Sequence, residues 1–95
     1  MIPVHPGRIV RRELAARGLS ANRLALELKV PSGRITDILA GKRGTSPETA
    51  LRLARFIGNS ARFWLNLQTA YELALAEREI GETIAQEVRP APAPA

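Results

Sequence analysis

The sequence predicts an all-α fold of five helices. Apolar residues recur three and four positions apart along most of the chain, which is the spacing of a helix with one buried face. These segments begin after serine or proline and three of them end at glycine, as helices commonly do, and we find no strand pattern between them. Ninety-five residues suffice for one small domain with a single core.

The first helix is predicted from about residue 7 to Arg17, and Gly18 ends it. Its inward face carries the apolar residues Ile9, Val10 and Leu14. Residues 1–5 are predicted to form an N-terminal arm, in which His5 serves as an arm or capping residue.

The second helix begins after Ser20, whose hydroxyl can cap free amides of the first turn. Leu24 and Leu28 lie four positions apart and share its buried face. Val30 fills the turn that follows. If Lys29 in this turn takes a positive φ, it costs roughly 1 kcal/mol because it is not glycine.

The third helix is predicted to carry Pro31 in its first turn and to end at Gly41 in a left-handed conformation. Ile35, Ile38 and Leu39 point inward. The residues that fall off this stripe and face outward are Ser32, Gly33, Thr36 and Asp37. Two short helices joined by a tight turn form a helix-turn-helix, whose second helix enters the major groove of DNA.

The fourth helix has a strong start, because Ser46 can cap it, Pro47 suits its first position and Glu48 complements its dipole. Gly58 ends it. Its predicted apolar face consists of Ala50, Leu51, Leu53, Ala54 and Ile57.

The fifth helix begins after Ser60 and is long, with Gly81 as a candidate interruption. It carries two apolar stripes, one of Phe63, Trp64, Leu67 and Tyr71, and another of Leu65, Leu73, Ala76 and Ile80. A monomer of this size buries one such stripe, so the second predicts a homodimer interface, unless the helix is embedded more deeply. Residues 6–88 are thus predicted to form the helix-turn-helix domain with its dimerisation helix, and residues 89–95 a Pro/Ala tail.

Charge is distributed unevenly along the chain. Residues 1–62 hold twelve Lys and Arg against four Asp and Glu, whereas residues 63–95 hold two against five. The first part therefore carries +8 and the second −3, which suits a domain that meets phosphate with one side. The alternative is a solvated basic surface, and the helix-turn-helix within the basic part favours DNA.

Several classes of function are disfavoured by composition. The chain has no cysteine and one histidine, so we predict no disulfide, no metal site and no cofactor. No histidine is placed to build a catalytic triad, which argues against an enzyme. No long apolar run predicts a membrane span or a signal peptide, so we expect a cytoplasmic protein.

The spacing Leu24-Ala25-x4-Val30-x4-Ile35-Thr36 resembles the helix-turn-helix of phage-repressor-type regulators. The resemblance implies a phage-repressor-like domain of five helices, here with an elongated C-terminal helix. Two positions depart from the common pattern: Ala21 stands where many members carry a phosphate-binding Gln, and Lys29 stands where the turn usually has Gly. Asn22 or Arg23 could supply the missing phosphate contact.

A wider set of motifs resembles the HigA antitoxin family of toxin–antitoxin modules. These motifs are His5-Pro6-Gly7, Gly41-Lys42-Arg43-Gly44, the stretch from Ser46 to Ala54, and Phe63-Trp64-Leu65-Asn66-Leu67-Gln68. Arg8 departs from the Glu that often follows the first motif. The resemblance implies an antitoxin that blocks a HigB-type mRNA-cleaving toxin and represses its own operon by binding a palindromic operator as a dimer.

The residues predicted to meet DNA combine base readers and phosphate binders. On the third helix, Arg34 could contact phosphate or guanine, Thr36 a thymine methyl, and Asp37 a cytosine amine or a neighbouring Arg. The full set is Arg23, Ser32, Gly33, Arg34, Thr36, Asp37, Lys42 and Arg43. The residues that bind the toxin are not identified by the sequence.

Two other functions fit the same sequence. One is a phage-type transcription regulator without a toxin partner, which an adjacent small toxin gene would argue against. The other is a helical protein-interaction module that has lost DNA binding, which Ala21 and Lys29 favour. A salt-dependent interaction with operator DNA would exclude the second.

Overall fold

The structure is a computed structural model and describes residues 2–94 of the chain. These residues form five α-helices joined by loops, with no strand among them. The predicted all-α class is therefore confirmed. Met1 of the predicted arm and Ala95 of the predicted tail lie outside the described residues. The helices are α1 (Pro6–Arg17), α2 (Ala21–Leu28), α3 (Ser32–Leu39), α4 (Pro47–Ile57) and α5 (Ala61–Glu87).

Side-chain caps start four of the five helices. Ser20, Ser46 and Ser60 each accept the amide three positions later, at 3.0–3.2 Å, as predicted. His5 caps α1, with its Nδ1 accepting the Gly7 amide at 2.9 Å. Each such cap typically stabilises a helix by about 1 kcal/mol.

The start of α3 differs from the prediction. Pro31 is the N-cap residue, with an extended backbone at ψ 143°, and the helix begins at Ser32. The fixed φ of proline fits both a cap and a first turn, so its ψ decides between them. Pro31 has no side-chain donor or acceptor, and no side chain caps α3.

Left-handed residues end the helices where they were predicted to. Gly18 and Gly58 directly follow α1 and α4 with φ of 64° and 96°. At the end of α3, Ala40 is a right-handed C-cap and Gly41, one residue further, has φ of 75°. Lys29 ends α2 with φ of 60° and is the one non-glycine residue with positive φ among residues 2–94. A lysine there costs roughly 1 kcal/mol relative to a residue without strain.

The core lies between α1–α4 and the first part of α5. Trp64 is fully buried at its centre, and its indole Nε1 donates to Asn59 Oδ1 at 2.9 Å. The prediction for Leu51 is wrong, since its side chain is 64% exposed. Buried residues of α4 follow the three- and four-residue spacing of one helix face. Leu51 comes directly after Ala50 and is therefore rotated away from that face. The buried apolar set is Val10, Leu14, Leu24, Ala25, Leu28, Ile35, Ile38, Ala50, Leu53, Ala54 and Trp64.

The fifth helix runs without a break through Gly81, so the expected interruption is wrong. A single glycine inside a helix costs only about 1 kcal/mol relative to alanine and need not end it. Residues 76–87 contain no buried residue and extend beyond the core, which gives the chain dimensions of 56 × 27 × 22 Å. None of the helices within residues 2–94 is long and apolar enough to cross a membrane.

The four residues of the apolar stripe predicted for dimerisation differ in their exposure. Leu65 is half-buried and packs against the core of its own chain, because α5 still lies on α4 at that point. Leu65 is thus less exposed than the other three residues of the stripe, and the dimer interface itself stays a prediction. Leu73 and Ile80 are 56% and 49% exposed, and Ala76 between them is also exposed.

Candidate nucleic-acid interface

The turn between α2 and α3 sets the direction of the third helix. Lys29 takes the left-handed conformation, and the Val30 amide then donates to the carbonyl of Ala25 at 3.0 Å. Ile35 and Ile38 anchor α3 on the core, each with 1% of its surface exposed. With one face fixed in this way, the opposite face of α3 is directed to solvent.

The outer face of α3 contains three of the predicted reading residues. Ser32, Gly33 and Thr36 are exposed, and a Cβ built on Gly33 has no neighbour within 4 Å. Thr36 donates from its hydroxyl to the Gly33 carbonyl at 3.1 Å, which leaves its methyl group free to contact a base. This open surface at a helix N-terminus suits close approach to a DNA backbone and to base edges.

The loop after α3 folds back on the same helix. The amides of Lys42 and Arg43 donate to the Asp37 carbonyl at 2.9 and 3.3 Å, and both cationic side chains are exposed. The loop cations are thereby placed next to the last turn of α3. Exposed cations beside a reading helix are the groups that neutralise DNA phosphates.

A buried glutamine of α5 holds the far end of this loop. Gln68 is 8% exposed, accepts the Thr45 amide at 3.2 Å and donates to Glu72 at 2.6 Å. Gly44 lies so close to the Gln68 amide group that a Cβ at this position would overlap it. Sequence reasoning gave Gln68 no role of its own, and its only signal was its place in the Phe63–Gln68 motif.

A chain of charged groups connects α3 to α4 and α2. Arg34 Nη1 lies 3.6 Å from Glu48 Oε1, and Arg52 contacts the other oxygen of Glu48 at 3.0 and 3.1 Å. Arg52 also donates to the Leu28 carbonyl at 2.9 Å. The sequence does not identify Glu48 as a functional residue, because an acid at a helix N-terminus is already accounted for by the helix dipole.

The two remaining predicted residues have different surroundings. Arg23 lies in the first turn of α2 and pairs with Glu27 at 2.7 Å, with 60% of its side chain exposed. Asp37 forms no ion pair within residues 2–94, and the acidic partner of Arg34 is Glu48. The hypothesis that Asp37 orients a neighbouring arginine is therefore not the arrangement found.

The single histidine is engaged in packing. The His5 ring caps α1 and lies edge-on to Tyr71 of α5, with ring centroids 5.0 Å apart. Burial lowers the pKa of His5, and the charge of Glu72 opposes this shift. No cluster of three or more metal-ligating side chains occurs in the described part of the chain.

The fold and the packing of α2 against α3 define a helix-turn-helix protein. The helix-turn-helix family matches residues 10–64, more than half of the chain, so the chain belongs to that family. Within it, the chain is one of the HigA-family antitoxins, because its solved relatives of that family match it over almost its whole length.

An addiction module antidote protein of the HigA family from Coxiella burnetii is 47% identical, with a TM-score of 0.89 over 96% of this chain and 100% of that one. The antitoxin HigA of Pseudomonas aeruginosa, solved with the higBA promoter, is 42% identical, with a TM-score of 0.89 over 95% and 99%. Virulence-associated protein I of Dichelobacter nodosus is 49% identical over 80 residues, which are 83% of this chain and 74% of that protein.

Proposed function

We propose that this chain is an antitoxin that neutralises a HigB-type mRNA-cleaving toxin and represses its own operon by binding a palindromic operator as a homodimer. Residues 6–88 act as the DNA-binding and dimerisation unit, with residues 1–5 and 89–95 flanking it. The chain acts by binding and has no catalytic activity of its own. An operator-binding protein works in the cytoplasm, beside the DNA.

One observation carries the DNA-binding part. The exposed residues of α3 and the exposed cations Lys42 and Arg43 lie next to each other, because the loop hydrogen-bonds to the last turn of α3. A surface with base readers flanked by phosphate binders can recognise sequence and bind the duplex at once. The relative from P. aeruginosa solved with a promoter supports the same assignment.

The electrostatic part is tested by salt titration. If four to six phosphates are neutralised per dimer, log K for promoter DNA falls against log salt with a slope of roughly −4 to −5. Fluorescence anisotropy with the DNA upstream of the chain's own gene measures this slope between 50 and about 300 mM salt. A flat response would reject phosphate binding by the +8 part of the chain.

The roles within the interface are tested by two groups of variants. Lys42→Ala and Arg43→Ala weaken binding about equally for all DNA sequences and reduce the salt slope by about one each. Ser32→Ala and Thr36→Val change which sequence is preferred. If the loop variants altered base preference and the helix variants did not, α3 would not be the reading helix.

The free part of α5 supports a homodimer. Leu73, Ala76 and Ile80 are exposed on a part of α5 that contains no buried residue in the structure of residues 2–94. Pairing by a two-fold axis would cover them and set two recognition helices about one DNA turn, roughly 34 Å, apart. Leu73→Asp should yield a folded monomer with much weaker operator binding, and sedimentation at micromolar concentration measures it. A wild-type monomer of about 10 kDa that still bound a palindrome tightly would rule out this seam.

Toxin neutralisation is tested by co-expression with the neighbouring gene. Cells whose growth is arrested by the product of the neighbouring gene alone should grow again when this chain is also produced, because a bound toxin cannot reach its substrate. Rescue that survives the Ser32 and Thr36 variants would place the toxin on another surface. A neighbour that arrests nothing would favour a transcription regulator without a toxin, and an absence of DNA binding with rescue intact would favour a pure protein-interaction module.

A further inference from the structure

The arginine of the recognition helix forms an ion pair with an acid that lies outside that helix. Arg34 occupies the third position of α3, on the flank of the exposed face, and its side chain is 26% exposed. Its guanidinium lies beside Glu48 at the start of α4, with Nη1 and Oε1 3.6 Å apart. The remaining guanidinium N–H groups keep their donors for another acceptor, since an arginine carries five.

The carboxylate beside Arg34 is itself fixed in place. Arg52 contacts one oxygen of Glu48 through two nitrogens, at 3.0 and 3.1 Å, and leaves the other oxygen directed to Arg34. Arg52 is anchored in turn, because its third nitrogen donates to the Leu28 carbonyl at 2.9 Å. The position of the Glu48 carboxylate is therefore set by two helices, α2 and α4.

The ion pair between Arg34 and Glu48 contributes little to stability. The Glu48 side chain is 59% exposed, and ion pairs in solvent contribute little to folding. A second acid, Asp37, lies one turn along from Arg34 on the same helix and forms no ion pair within the described range. The acid that contacts the guanidinium thus lies on another helix, and the acid on its own helix forms no ion pair with it.

We propose that Glu48 is a positioning residue, which holds the Arg34 guanidinium so that its free edge meets a guanine in the major groove. A planar guanidinium matches the O6 and N7 acceptors of guanine, and this contact discriminates only when the plane is correctly oriented. Glu48 supplies that orientation without touching DNA. This inference rests on the proposed operator binding and names the base that Arg34 reads.

The test compares which sequences are bound from a library of randomised DNA duplexes. Five full-length proteins are used: the wild type, Glu48→Gln, Arg34→Ala, Glu13→Gln and the double variant Glu48→Gln/Arg34→Ala. Glu13 is a matched control, because it too is an acid in an arginine ion pair, with Arg17 at 3.4 Å, but it lies on α1. Both glutamine variants change the net charge equally, so a general electrostatic effect appears in both. Far-UV circular dichroism checks that each variant is folded.

The expected result is position-specific. Arg34→Ala and Glu48→Gln should relax the preference for guanine at the same base position, by about tenfold or more for the first variant and several-fold for the second. Glu13→Gln should leave the selected sequence unchanged. In the double variant Glu48→Gln/Arg34→Ala, preference should be no weaker than in Arg34→Ala alone, since the two residues act through one contact.

Three results would overturn the inference and leave the proposed operator binding intact. Glu48→Gln could retain the guanine preference that Arg34→Ala loses, which would make the carboxylate irrelevant to reading. It could instead bind all sequences more tightly with a steeper salt slope, which would make Glu48 a competitor of phosphate. If Arg34→Ala changed no base preference, Arg34 would bind phosphate only. A wild-type protein that selects no sequence would reject the proposed operator binding itself, and with it the role of Glu48.

Discussion

Replacing Gly7 by alanine should destabilise the domain more than any other single methyl group added to a helical glycine. Gly7 is buried at the second position of α1, where this helix crosses the end of α3. A Cβ at Gly7 would lie 3.0 Å from the carbonyl carbon of Ile38 and would overlap its oxygen. The obstacle is backbone of a core helix, so no side-chain rotation relieves it.

The magnitude follows from what must move. To accept the methyl group, α1 and α3 have to separate, and both are held by core residues such as Val10 and Ile38, each 1% exposed. Overpacking of this kind costs typically 1–3 kcal/mol, and backbone contact places Gly7→Ala at about 3 kcal/mol. For a domain of this size the melting temperature should fall by roughly 10–20 °C.

Gly33→Ala is the matched control. Gly33 is also the second residue of its helix, α3, but a Cβ there has no neighbour within 4 Å. Its free energy of unfolding should equal that of the wild type or exceed it slightly, because alanine favours a helix. Urea denaturation followed by circular dichroism, at one protein concentration, measures both variants. A Gly7→Ala protein as stable as Gly33→Ala would refute the argument from close packing.

Three further changes test separate features. The pKa of His5 is lower in the folded protein than its unfolded value of about 6.5, so the free energy of unfolding should be full above that pH and decrease as the pH falls towards the folded pKa. Urea titrations from pH 8 to 5 should show this decrease. The variant His5→Asn, which keeps a capping acceptor, should abolish it. Lys29→Gly should raise the free energy of unfolding by up to about 1 kcal/mol, since glycine adopts positive φ without strain, and a lower value would contradict that account. Gln68→Ala should lower the free energy of unfolding by about 2–3 kcal/mol and speed hydrogen exchange at the Thr45 amide, because that buried donor loses its acceptor. Unchanged exchange would mean that the loop does not depend on α5.

The sequence was sufficient to predict features that depend on nearest neighbours along the chain. Serine caps and the glycine ends of α1 and α4 follow from the conformational preferences of single residues, and the structure confirms them. The left-handed Lys29 goes against the preference of lysine, and only its place in the turn, where glycine is usual, indicated it. The helix-turn-helix could also be predicted, because the spacing of Leu24 to Ile35 fixes which faces of two adjacent helices meet.

Features that depend on distant parts of the chain were not predictable in the same way. Spacing does not tell where a long helix leaves the core, so Leu65 and Leu73 were given one role although only Leu73 is exposed. Glu48 meets Arg34 because the loop between α3 and α4 returns the chain to that point. The local sequence around Glu48 fits a solvated acid equally well. The contact between Gln68 and Thr45 was not predictable either, because it also joins residues that are distant in the sequence.

The contact between Gly44 and Gln68 has an evolutionary consequence. A side chain at position 44 would occupy the space of the Gln68 amide, so a substitution of Gly44 requires either that this amide rotate away or that position 68 carry a shorter residue. Either change would also release the Thr45 amide, which then needs another acceptor. Positions 44 and 68 should therefore covary among related sequences, and a lineage that changes one without the other would have to remodel the loop that carries Lys42 and Arg43 to the DNA.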